Sequence, residues 1–447
     1  MNEVAKKRNI YIDVMKGLLI TLVVIGHLQY FEYDSRTLVL IYSFHMHAFL
    51  IIGGILSHIN ENSKISTVLL KRIKGTLIPY FLFYLISFII VPTFSNEQRI
   101  KALKVVIYGI GIPPDDALNL PLWFLTFYFV VMTLFETVQI LAYRITKLFA
   151  KAKASNGSAK ASNVGAKQCE PSHKIENLQN PRRRELCERH FKFEMREALL
   201  TQLITLLFIS IIMFISFRYA RIYKLKRLPY NIEIAGFCLG FVFFGNVLGR
   251  SIQSIKNKVL SFANKNTLKK VYTILSLTYF LLIILVVWYK LSMKNGRIDL
   301  NARDYKNAFY MYIDSILGFI LFATFSYMVY FISSFATKKI SSLKNNSTSK
   351  NLFQNIFSLF YLLLNLPSKL FSYLGKNSLY ILAYHVPSVF YTGAYIIPLF
   401  PQTLRKILSH NSLISIVIMS TLGIGFSFVL SLFHKAIHTL ISNVASN

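Results

Sequence analysis

The sequence predicts an all-α, polytopic integral membrane protein of about ten transmembrane helices with both termini in the cytoplasm. Three observations carry that expectation. Hydrophobic residues fill 54% of the 447 positions and charged residues only 15%, a balance too apolar for a soluble chain of ordinary composition. Apolar runs near twenty residues recur along the chain, each about long enough to cross a hydrocarbon core of roughly 30 Å at 1.5 Å per residue, and runs of that length mean helices rather than barrel strands. Finally, with the N-terminus inside, the presumed cytoplasmic segments hold about two thirds of the 50 lysines and arginines, the bias expected of inward-facing loops.

The spans read, in order, near Ile10 to Phe31, Leu38 to His58, Thr76 to Phe94, Leu120 to Tyr143, Leu199 to Phe217, Asn231 to Gly249, Val271 to Lys290, Phe309 to Ala336, Ser378 to Pro398 and Ser412 to His434. The first follows Lys6, Lys7 and Arg8, has no small-residue cleavage pattern after it, and is expected to stay as an anchor. Residues 150–180, which include "KAKASNGSAKASNVGAKQCEPSHK", lack apolar periodicity and read as a disordered cytoplasmic loop inserted between spans four and five. The "PRRRELCERHFKFEMREALL" that follows is basic enough to start a helix at an anionic lipid surface. "NLFQNIFSLFYLLLNLPSKLFSYL", interrupted by Asn355, Asn365 and Pro367, reads as an interfacial or re-entrant helix pair rather than an eleventh crossing.

A net charge of +31 invites a nucleic-acid reading, but the charge flanks apolar spans, so the bilayer rather than nucleic acid is the expected partner. Two presumed outer loops, "RYARIYKLKRLPYN" and "NGRIDLNARDYKN", nevertheless carry positive charge. That is either tolerance in short loops or a surface for an anionic partner. Cys169, Cys187 and Cys238 support neither a disulfide framework nor a metal cluster.

Ionisable residues inside spans are the natural candidates for chemistry, because an unpaired charge in hydrocarbon costs several kcal/mol. Lys16 and His27 fence the run "KGLLITLVVIGH"; at 100° per residue they share one helix face about 16 Å apart. A snorkelling lysine and an interfacial histidine are the bland alternative. Asp13, too far along the helix to orient His27, is expected to pair with Lys16 at i, i+3. His45 and His47 in "FHMHAF" lie about 200° apart around a helix, so only one of them can face His27. A zinc site of the three is awkward for that reason, and no metal is expected. In "LGKNSLYILAYHVPSVF", His385 stands two positions before Pro387, and Gly375 and Asn377 or Ser378 suit a helix stop and restart. Trp123 in "LPLWFL" suits an interfacial anchor, and Lys71, Arg72 and Lys74 suit either topology signalling or a cradle for a phosphorylated cytoplasmic cofactor.

Taken in order, "RNIYIDVMKGLLITLVVIGH", "FHMHAFLIIGGIL", "KRIKGTLIPYF", "LPLWFLTFYF", "LPYNIEIAGFCLGFVFFGNVLGR" and "LGKNSLYILAYHVP" resemble the acyltransferase 3 family of membrane O-acyltransferases. The resemblance implies a single transmembrane domain over 1–447 in the cell's inner (plasma) membrane. It implies transfer of an acyl group, most often acetyl, from cytoplasmic acyl-CoA to a hydroxyl of a cell-surface polysaccharide or glycolipid. Acetyl-CoA would be a donor substrate rather than a tightly bound cofactor. His27 becomes the catalytic histidine, with His45 next to it, and Lys16, His47, Lys71, Arg72, Lys74, Trp123 and His385 the substrate- or donor-binding candidates. As general base, His27 would take the acceptor's proton or briefly carry the acyl group. The alternative from another class is a transporter or flippase of a lipid-linked glycan, its histidines serving as a proton relay.

Overall fold

The computed structural model describes residues 8–28, 35–57, 63–90, 96–110, 119–155, 181–222, 227–262, 267–345, 352–391, 397–408 and 413–446. These residues are helical almost throughout: α1 (Ile10–Gly26), α2 (Arg36–Leu56), α3 (Ile65–Arg72), α4 (Ile78–Ile90), α5 (Asn96–Tyr108), α6 (Trp123–Ser155), α7 (Pro181–Ile222), α8 (Ile232–Phe237), α9 (Leu239–Phe262), α10 (Thr267–Asn295), α11 (Ala308–Asn345), α12 (Leu352–Lys376), α13 (Ser378–Tyr391), α14 (Gln402–Leu408) and α15 (Leu413–Ser446). Among them, six are long and apolar enough to cross a membrane: α2, α6, α7, α10, α11 and α15. The pair α8 and α9, bent by 59° at Cys238, makes a seventh if counted as one span. Helices also occupy the three other expected positions, but α1, α4 and α13 are only 17, 13 and 14 residues long. The outward faces of α7 and α10, including Leu203, Leu207, Phe214, Leu275, Tyr279 and Phe280, are exposed and apolar, as hydrocarbon surroundings require.

Local sequence sets several boundaries. Asn9 begins α1 by accepting the Tyr11 N–H at 3.1 Å, and Ser35 begins α2 by accepting that of Leu38 at 3.4 Å. Between α3 and α4 the chain makes a π-helical turn, Ile73–Leu77. Pro79 has no N–H to give the Gly75 carbonyl, and the ladder shifts to the wider repeat just before it.

Two backbone-on-backbone crossings organise the bundle. Where α1 crosses α12, a Cβ on Gly17 would lie 1.8 Å from the Phe371 carbonyl oxygen, and one on Gly375 would lie 1.8 Å from that of Asp13. The helix does end at Lys376 and the next begins at Ser378, where the sequence suggested a stop and restart; Gly375, in the last turn of α12, also lets α1 approach. Where α2 crosses α9, Gly54 faces the Val242 carbonyl at 2.1 Å and Gly245 the Ile51 carbonyl at 2.0 Å, counted again from the Cβ each lacks. Close approach through small residues is the usual packing device where lipid removes the hydrophobic drive between helices.

Other expectations are revised. The segment read as a helix pair is one continuous helix, α12, which runs through Pro367 and packs on both α1 and α11. Its side chains at Ser333–Asn365 join it to α11 through a buried hydroxyl–amide contact. The basic stretch after the inserted loop does start a helix, continuous with span five as α7. Of the loop itself, residues 150–155 extend α6, and 156–180, including Cys169, lie outside the described residues.

Gly17→Leu and Gly245→Leu are each expected to destabilise the fold by about 3 kcal/mol through overpacking against backbone that has nowhere to move. The thermal midpoint of the detergent-solubilised protein is the readout, with an unchanged midpoint contradicting the crossing.

Candidate active site

A cavity of about 190 Å³ opens between α1, α2, the π turn, α6 and α13. Lys16, Gly53, Thr76, Tyr128 and Ser378 supply its polar lining, and Ile20, Phe49, Ile52, Phe124 and Leu382 much of its apolar wall. Lys16 is half-buried there. It does not pair with Asp13, because the Asp13 carboxylate accepts two hydrogen bonds from Arg8, at 2.7 and 3.0 Å. No hydrogen bond or ion pair to Lys16 occurs among the described residues, so its ammonium is available to whatever enters the cavity.

Beyond the cavity's far end stand the histidines. His385 lies one turn past Leu382 on α13, and His45 one turn before Phe49 on α2. His27, the C-terminal cap of α1, lies with its ring 5.0 Å from that of His385. Tyr42 links His45 to α1: its ring is 4.8 Å from that of His45 and packs against Gly26, the residue before His27. Three helices thus bring three imidazoles towards one place beyond the cavity that Lys16 lines.

Their tautomers follow from their partners. His45 Nδ1 lies 2.7 Å from the Ile41 carbonyl and His385 Nδ1 2.9 Å from that of Leu382. A carbonyl can only accept, so each Nδ1 carries the proton and each Nε2 presents a lone pair. The Nε2 of His385 is buried and has no partner among the described residues, an expense that a substrate hydroxyl donating to it would relieve. Pro387 helps shape this stretch. Lacking an N–H, it leaves the Ala383 carbonyl without its helical donor, and the buried Asn119 amide supplies one at 2.7 Å.

His47 faces away from this group, as the 200° argument required. Its Nδ1 donates to Ser315 Oγ at 2.9 Å, since Ser315 spends its own proton on the Ser43 carbonyl, and its ring lies 4.5 Å from that of Phe241. It therefore sits between α2, α9 and α11, off the cavity. Trp123 is likewise no interfacial anchor and lines no part of the cavity. At 7% exposure it is packed against Phe124 and Phe127 in the core.

The basic trio divides. Lys71 and Lys74 are exposed beside the cavity's Gly75–Thr76 edge. Arg72 is committed instead to Glu136 on α6, through Nε to Oε2 at 2.9 Å and through a second, Nη2–Oε1 contact; Ser57 Oγ donates to the same carboxylate at 3.4 Å. Burial pulls the Arg72 guanidinium down, but the Glu136 hydrogen bond and charge outweigh it and hold it above its ordinary value. Arg72 pins the π turn to α6 and is not free to grip a phosphate.

Sequence reading passed over Glu136, Glu233 and Asp314, although a carboxylate inside or at the edge of an apolar span was the signal to follow. Glu233 joins Arg303, Asn231 and Arg227 in a network over the histidine end. There burial and the neighbouring charge of Arg303 push Arg227 down to about 10. Asp314 is fully buried on α11 beside Ser292.

Residues 9–157 match the family model of an acyltransferase domain, that of acyltransferase 3. Residues 9–157 are thus similar to an acyltransferase 3 domain, and with the apolar helices long enough to cross a membrane this supports a membrane acyltransferase in general. The matched stretch runs from the start of α1 to just past α6 and contains Lys16, His27, His45, Lys71, Lys74 and Glu136; His385 joins the candidate site by geometry alone. No curated protein matches the chain, and no solved structure does.

Removing one partner of a buried pair strands the other, so Arg72→Ala and Glu136→Ala are each expected to cost about 3 kcal/mol, with the double variant losing less than the sum. Thermal midpoints of the four proteins give the coupling directly, and strict additivity would dissolve the clasp.

Proposed function

We propose that the protein is an O-acyltransferase that moves an acyl group, most often acetyl, from cytoplasmic acyl-CoA to a hydroxyl of a cell-surface polysaccharide or glycolipid. One observation carries the reading: a cavity with a lysine at one end stops one helical turn short of three clustered imidazoles. A long, thin donor fits that arrangement. Its phosphates meet Lys71 and Lys74 at the cytoplasmic edge, its pantetheine arm passes Lys16 and the apolar wall, and its thioester arrives at His27, His45 and His385.

The acceptor arrives from the other side, where His27 is half-buried rather than sealed. His27 takes the proton of the acceptor hydroxyl as its oxygen attacks the thioester carbonyl carbon. The C–S bond then breaks, and the departing thiolate recovers the proton from the imidazolium. The Nε2 atoms of His45 and His385 accept hydrogen bonds from the hydroxyl or from the sugar's neighbouring hydroxyls and hold it in line.

Transfer of radiolabel from acetyl-CoA into envelope glycan, by membranes containing matched amounts of protein, tests this. His27→Ala is expected to lower the rate on the order of 100-fold or more, and His385→Ala to lower it less while raising the apparent KM for acceptor. Undiminished transfer without His27 overturns the assignment of the base, and no transfer by the intact protein from any acyl-CoA overturns the reaction.

A further inference from the structure

The connection between α10 and α11 is a folded cap rather than a loose loop. Gly296 turns the chain with φ 78°, and Asp299 and Asp304 exchange two backbone hydrogen bonds at 2.9 Å. Ile298 and Leu300 are buried at 2% and 3%. Arg303, itself at φ 63°, locks the cap to α8 by donating to Glu233 at 2.6 Å and Asn231 at 2.8 Å. Much of the positive charge in this segment is therefore neutralised within the fold.

Arg297 is used differently. Its guanidinium lies 4.0 Å above the ring of Tyr42, its side chain is 11% exposed, and its ion pair to Asp299 is long, at 3.5 Å. Tyr42, on α2 three residues before His45, also packs against α1. Its ring is 4.8 Å from that of His45, and it packs so close to Gly26, the residue before His27, that a Cβ there would lie 3.3 Å from it. A cation has thus been brought, on a rigid cap and across an aromatic platform, to the edge of the imidazole group.

We propose that Arg297 is a catalytic residue that stabilises the oxyanion formed when the acceptor hydroxyl attacks the acyl thioester. The assignment rests on the acyl-transfer reading given above. In that step the new C–O bond forms, the carbonyl π pair moves onto oxygen, and the hydroxyl proton passes to His27. The Arg297 N–H groups donate to the resulting anionic oxygen, which reverts to a carbonyl as the C–S bond breaks and the thiolate takes the proton back. A guanidinium is suited to the task because it stays charged and its donors are held in a plane, here fixed by stacking on Tyr42.

The test uses the full-length protein with Arg297→Ala, Arg297→Lys and Asp299→Asn in the label-transfer assay, alongside the thermal midpoint of each purified variant. Arg297→Ala is expected to lower kcat about 100-fold or more with little change in acceptor KM or thermal midpoint, and added guanidinium ion to restore part of the loss. Arg297→Lys should fall between. Asp299→Asn breaks the same ion pair yet should remain within a few-fold of the intact protein. Three results overturn the proposal: kcat within threefold of intact in Arg297→Ala, a rise in acceptor KM alone, or a loss matched by Asp299→Asn and by a fallen midpoint without rescue by guanidinium. An intact protein that transfers nothing overturns instead the reading on which the proposal rests, whereas an active intact protein with an equally active Arg297→Ala sinks only the role of Arg297.

Discussion

The contact of α1 with α12 at Gly17 and Gly375 fixes where everything else can be. At both positions the missing Cβ is replaced by a carbonyl oxygen of the opposite helix, so the crossing can neither slide nor loosen without losing van der Waals contact along a whole face. Asn377 follows immediately and starts α13, its carbonyl accepting the Tyr380 and Ile381 N–H groups. The register of α13 against α1 is therefore set within one turn of the crossing, and that register brings His385 to His27. The second crossing, at Gly54 and Gly245, does the same for α2. Gly53, its neighbour, is left facing Tyr128 and the cavity.

Proline supplies a second layer of control. A proline within a helix frees the carbonyl four residues earlier, and in hydrocarbon that group must find another donor. At Pro387 the debt falls on Ala383 and is met by Asn119, which ties the segment before α6 to the helix that carries His385. At Pro79 the response is a change of helical pitch, and the widened turn is the one that exposes Gly75 and Thr76 to the cavity.

What the sequence revealed about the site was whatever depends on position along a single helix. The opposed faces of His45 and His47 follow from 100° per residue and hold in three dimensions. Hidden from it were the partners that come from elsewhere in the chain. Arg72 looked like a phosphate ligand because nothing nearby in sequence opposes it, whereas Glu136, 64 residues away, does. Trp123 had the composition of an interfacial anchor, but whether an indole faces lipid or core is decided by its neighbours in space, here Phe124 and Phe127. Arg297 read as one more charge in a basic loop, and only the folded cap distinguishes it from Arg303 a few residues on. The family resemblance was carried mainly by single-helix patterns, which is why the first third of the chain sufficed to support it.

The cavity ends short of the imidazole group, and His27, a member of that group, is half-buried. Under the proposed function, a donor reaching it through the cavity and an acceptor reaching it by way of His27 do not compete for a doorway. Each can load while the other is in place, so the reaction has no need to park the acyl group on the protein while one substrate leaves and the next enters. Such an arrangement favours a ternary complex and intersecting initial-velocity patterns over the parallel ones of a ping-pong cycle, and it lets a bilayer separate the two substrates without a carrier between them.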